Sequence, residues 1–149
     1  MYMPHTVTIY NVVQETDPAT FEDVTVNYIT ILRGVFLDAS KATNVRESGL
    51  EGADAVTLHI PFSVTAVDGV TGAEKQYVGP MEFWRAADKS GIWTLSTDRN
   101  AFFAKGEVVE PDKSEEYINL RYDGVYTVTK VDVKDFGSPA LRHWEIGAV

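Results

Sequence analysis

The segment Val24–Leu37 reads VTVNYITILRGVFL. It is rich in β-branched residues and apolar on both sides of a two-residue period, the pattern of a strand. Val24, Val26, Tyr28, Leu32 and Phe36 fall on one face, and Ile29, Ile31, Val35 and Leu37 on the other. Such a strand is either central in its sheet or changes face at a bulge, and Gly34 is the natural place for the change. Before it, His5–Val12 alternates, with Val7 and Ile9 set against Thr6 and Thr8. After it, Ala55–Phe62 sets Val56, Leu58 and Ile60 against Thr57 and His59, and Pro61 ends the pairing. The turn sequence DGVTG, Asp68–Gly72, predicts a hairpin between Ser63–Val67 and Lys75–Val78. Near the C-terminus, alternating Val125–Val133, the loop DFGSP (Asp135–Pro139) and Leu141–Ile146 predict a closing pair of strands. In the last of these Trp144 and Ile146 face one way, His143 and Glu145 the other.

Helical signals are short. Pro80 suits a first helical position, with Met81, Trp84 and Ala87 as an apolar stripe and Ser90-Gly91 as a stop. A second turn is predicted at Ser114, where Glu115 and Glu116 sit near the positive end of the helix dipole. The fold class read from the residues is therefore mostly β, with one or two short helices. One domain spans 1–149, with a long polar loop at 38–54 and a helical and loop insertion over about 80–120.

Composition narrows the chemistry. The 149 residues hold 13 basic and 22 acidic side chains, a net charge of −9. That balance opposes nucleic-acid binding through Lys and Arg, so no sequence-specific nucleic acid is expected. Cysteine is absent, which removes disulfides, thiolate nucleophiles and Cys-ligated metals. No apolar run is long enough for a membrane helix, and no membrane partner is expected. His5, His59 and His143 occur singly on strands without HxH or HExxH spacing, so the sequence assigns no metal. GxSxG, GxxxxGK[ST] and GxGxxG are missing, and no catalytic residue or cofactor is assigned. The run EPDKSEE, Glu110–Glu116, lacks the alternating oxygen ligands and the glycine of a calcium loop.

Two sets of residues stand out as contact candidates. The loop DASKATNVRESGLEGAD, Asp38–Asp54, offers Lys41, Asn44, Arg46, Glu47, Leu50 and Glu51 to a partner. The crowded aromatics Trp84, Trp93, Phe102 and Phe103 serve either an interface or the core.

The stretch YTVTKVDVKDFGSPALRHWEIGA, Tyr126–Ala148, resembles the closing hairpin of a prophage protein family from the head-to-tail region of long-tailed phages of Firmicutes. The matching residues are Val131-Asp132, Gly137-Ser138 and His143-Trp144-Glu145-Ile146-Gly147. DKSGIWTL (Asp88–Leu95), AKGEV (Ala104–Val108), YNVV (Tyr10–Val13) and RGVFLDASKATNVRESGLEGADAV (Arg33–Val56) fit the rest of that family. STDRN, Ser96–Asn100, stands where the family has a Gly-Asp turn. The resemblance implies a head-closure or connector protein: a non-enzymatic small antiparallel β-barrel with long inserted loops that assembles as a homo-oligomeric ring and docks between a portal-side adaptor and the tail. It implies residence in the virion neck, and in the host cytoplasm during assembly, with DNA passing through the ring. Tail completion is a variant of the same reading. A small β-barrel module binding a sugar or peptide around Trp84, Trp93 and Phe103 is the alternative of a different class.

Overall fold

The computed structural model describes residues 3–39, 56–97 and 101–149. Among them nine strands form: β1 (His5–Thr16), β2 (Asp23–Asp38), β3 (Val56–Pro61), β4 (Thr65–Asp68), β5 (Gln76–Tyr77), β6 (Ile92–Trp93), β7 (Phe102–Lys105), β8 (Val125–Lys134) and β9 (His143–Ala148). Helices α1 (Pro80–Arg85) and α2 (Glu115–Arg121) and a 3-10 turn at Pro139–Leu141 complete the elements. Six strands pair in the order β1-β7-β8-β9-β3-β2, and β2 pairs back to β1. That last pairing closes an antiparallel, barrel-like ring, the arrangement that leaves fewest open strand edges. β4 continues along the β2 edge that β3 has left, from Thr30↔Asp68 to Arg33↔Thr65.

Two irregularities give the ring its single interior. On β1 the register jumps from His5↔Val35 to Thr6↔Arg33, so Gly34 is bulged out, with φ at +90°. The bulge turns the strand over: Leu32 before it and Val35 and Leu37 after it all enter the same core. Strict alternation would place Leu32 opposite Val35, so the two-face reading of Val24–Leu37 holds only up to Gly34. A second slip between Val128 and Lys130 does the same on β8, where Val128 and Val131 both reach the interior. All six ring strands supply core residues, among them Ile9, Leu32, Leu58, Phe103, Val128 and Ile146.

A second core lies on the outer face of the same sheet. Tyr10, Ile29, Phe102 and Ala104 project there and are covered by Val108 and by Ile118 of α2. α2 starts as its sequence predicts: Ser114 is the N-cap and its side chain accepts from the Tyr117 backbone N–H. The segment Gly106–Lys113 is strapped to β1 and β2. The Thr8 hydroxyl donates to the Gly106 carbonyl and accepts from the Val108 N–H, and the Tyr10 hydroxyl donates to the Val108 carbonyl. Asn27 Nδ2 donates to the carbonyls of Glu110 and Lys113.

Three expectations change. The segment 80–120, expected as a helical and loop insertion, also contains β6 and the ring strand β7, which joins β1 to β8 because Phe102 and Phe103 fill the cores on its two faces. α1 ends at Arg85 and anchors through Phe83, which is fully buried against Tyr28, while Met81 of the expected stripe is exposed. Six residues present too few turns for an i, i+3, i+6 stripe to form one face. The Asp68–Gly72 turn forms as read, with Asp68 Oδ1 accepting from Val70 and Thr71 and Gly72 at positive φ. Its second arm, however, meets β4 only at the Val67↔Glu74 bridge. β5 then pairs in parallel with β6, because Tyr77 and Trp93 pack on Trp144 at the end of the ring. No helix among the described residues is long and apolar enough to cross a membrane.

Candidate functional site

Side chains with metal-ligating chemistry meet on the outer face of the β3–β9 ladder. Antiparallel pairing puts His59 opposite Glu145 and Pro61 opposite His143. Because side chains two apart on a strand share a face, His143 and Glu145 both stand beside His59. One ligand atom from each of the three lies within 4.8 Å of the others. The His59 and His143 ring centroids are 5.7 Å apart, and His143 Nε2 is 3.9 Å from Glu145 Oε2. Phe36 of β2 flanks His59, and His5 of β1 flanks Phe36, so all three histidines of the chain belong to one row of rings. Their settings differ. His5 Nδ1 accepts the Leu37 backbone N–H, which ties it to the backbone of β2. His143 Nδ1 lies 2.8 Å from the Leu141 carbonyl, which can only accept, so Nδ1 donates this bond and Nε2 is the ring nitrogen turned to other partners.

A different feature marks the opposite end of β1 and β2. β1 pairs with β7 only over Val7–Tyr10, yet its pairing with β2 runs on to Thr16↔Asp23. The two strands therefore extend past the ring as a ribbon. Its turn is closed by Asp17 and Glu22, whose backbones hydrogen-bond at 2.8 Å, and by an Asx contact from Asp17 Oδ1 to the Ala19 N–H. Phe21 at this tip is 82 % exposed and has φ of 59°. A bulky residue in left-handed backbone is strained, and an exposed ring contributes nothing to the core.

The sequence profile of a family of unknown function, DUF6751, matches residues 2–149. The chain belongs to that family. No curated protein and no solved structure matches it.

In this DUF6751 member the residues singled out from the sequence fall in separate places. Lys41, Asn44, Arg46, Glu47, Leu50 and Glu51 lie outside the described residues, as does most of the Asp38–Asp54 loop. Trp93, Phe102 and Phe103 are buried within the chain's own cores, and Trp84 is half-buried beside Phe83. Three of the four expected interface aromatics are thus packing residues, and the stacking platform that a sugar or peptide module needs is not presented by them. The physical reason is that the two cores lie back to back across β7: Phe103 points into the ring while Phe102 points into the outer core. The outward faces of His59, His143 and Glu145 were legible from alternation. Their adjacency was not, since it depends on β3 pairing with a strand more than eighty positions away. Phe21 carried no signal beyond a turn-like DPAT before it.

Proposed function

We propose that this chain is a non-enzymatic structural subunit of the head–tail junction of a long-tailed phage. It assembles as a homo-oligomeric ring and docks between a portal-side adaptor and the tail, in the virion neck. The observation that carries the reading is the β1–β2 ribbon, which reaches beyond a closed ring of strands and ends in an exposed aromatic. A subunit of this kind needs a stiff body to set the angle to its neighbours and projections to grip them, and a ribbon anchored in two cores supplies both. The resemblance of Tyr126–Ala148 to the closing hairpin of head–tail proteins gives the setting. The net charge of −9 fits a conduit, because acidic side chains along a lumen repel DNA phosphates and let the duplex slide.

The test is a phage lacking this gene together with microscopy of the particle neck. Heads filled with DNA that leak or fail to join tails, and density for this chain at the neck of the complete particle, are expected. Normal infectious particles from the deletion would refute the assignment.

A further inference from the structure

The cluster on the β3–β9 ladder has a geometry that the structural role does not use. Three donors, two imidazole nitrogens and one carboxylate oxygen, are set by a fixed strand register rather than by a loop. Their side chains are partly withdrawn from solvent, 17 % exposed at His143 and 31 % at Glu145. At 3.9 Å, His143 Nε2 and Glu145 Oε2 are too far apart for a direct hydrogen bond. Ligands held at 2.0–2.2 Å from one tetrahedral ion sit roughly 3.3–3.6 Å from each other. His143 Nε2 and Glu145 Oε2, 3.9 Å apart, and His59, with all three ligand atoms within 4.8 Å of one another, lie near that spacing.

The hydrogen bond of His143 is the second observation. The bond from His143 Nδ1–H to the Leu141 carbonyl is the outer-shell contact that metal-binding histidines commonly make, and it holds the ring with Nε2 3.9 Å from Glu145 Oε2. An N2O donor set suits zinc and its first-row neighbours, whereas calcium and magnesium take oxygen ligands. Across the ladder from Glu145, Asp132 of β8 adds negative charge to the same face, paired in part with Lys130.

We propose that His59, His143 and Glu145 bind one zinc-class divalent cation, with water completing the shell. This proposal stands apart from the phage assignment and needs only the isolated chain. The test is calorimetric titration of untagged, chelator-stripped full-length protein with Zn²⁺, paired with the visible absorption of added Co²⁺. Saturable uptake of one ion per chain and the intense bands of four-coordinate cobalt are expected. His143→Ala and the near-isosteric Glu145→Gln should each weaken uptake by more than the about 10–100-fold that losing an outer-shell partner costs. His5→Asn, which keeps an acceptor for the Leu37 N–H, should leave it unchanged. Zn²⁺ should also raise the melting temperature of the wild-type chain but not of His143→Ala. The proposal is overturned if folded wild-type protein shows no saturable uptake. It is equally overturned if Glu145→Gln and His143→Ala bind as tightly as wild type, or if His5→Asn abolishes binding.

Discussion

Tyr10 joins two parts of the molecule through one hydroxyl. Its O–H donates to the Val108 carbonyl and accepts from the Glu110 N–H at 3.1 Å, so it pins the strap to β1 while its ring stacks on Phe102. Burial pushes its phenol from 10.0 up to about 12, with the Glu110 carboxylate adding to the shift. Tyr28 is raised to about 12 as well, by burial and by its hydrogen bond to Glu15. A folded-state value above the unfolded one means that the folded chain holds its proton longer. The associated stability is complete below pH 10 and is lost as pH rises from 10.0 towards about 12. Tyr10→Phe should therefore cost about 1–3 kcal/mol at neutral pH, by leaving a buried carbonyl and N–H short of a partner. It should also make the alkaline loss of stability shallower than in wild type. Urea denaturation at neutral pH and above pH 10 reads both effects; an alkaline limb as steep as that of wild type would contradict the assignment. Lys75 works in the other sense. Its fully buried ammonium donates to the Ile29 carbonyl and Thr30 hydroxyl and pairs with Asp68 at 3.4 Å, yet burial still lowers its pKa. Asp68 is also partly buried, which pushes its carboxyl up. The Thr71 and Val70 N–H groups and Lys75 outweigh that and hold it below its ordinary value, so its contribution fades as pH falls through the lowered value.

β2 is where a local irregularity organises the fold. It touches β1 along one edge and β4 and then β3 along the other, and it can serve both partners because Gly34 turns it over between them. A Cβ at Gly34 would meet nothing within 4 Å, so space is not the constraint there. The constraint is φ of +90°, a conformation that L-residues with side chains rarely adopt. Gly34→Ala should destabilise by about 1–3 kcal/mol, because relaxing the backbone would rotate Val35 and Leu37 out of the ring interior. Gly79→Ala is the matched control, since Gly79 has an ordinary φ of −64° and equal space. Equal denaturation midpoints for the two variants would remove the bulge from this account. α2 shows a helix that is legible at its start. Ser114, Glu115 and Glu116 announce it, and packing of Ile118 on the outer core stabilises a segment too short to persist alone.

At the scale of the whole molecule, the proposed assembly depends on surface that the fold does not need. Phe21 lies beyond both cores, so Phe21→Ser should leave stability within about 0.5 kcal/mol, as for other surface changes. A phage carrying it should nevertheless produce fewer tailed particles than wild type, counted by microscopy. Tailed-particle yields equal to wild type would separate the ribbon tip from docking. Phe136 and Leu141 at the β8–β9 connection, 70 % and 51 % exposed, are further apolar side chains that neither core uses.

The positions of β1–β4, β8 and β9, the bulge at Gly34, the Ser114 cap and the inward sets of β3 and β9 follow from the sequence, because period, glycine placement and capping chemistry are local properties; the short strands β6 and β7, inside the segment read as a helical and loop insertion, do not. Which strand lies beside which is not local. The closure of β2 onto β1, the burial of Trp93, Phe102 and Phe103 in two back-to-back cores, and the meeting of His59 with His143 and Glu145 arise from pairing between distant segments. That pairing is selected by the summed burial of all six ring strands, a quantity that no single stretch of the chain carries.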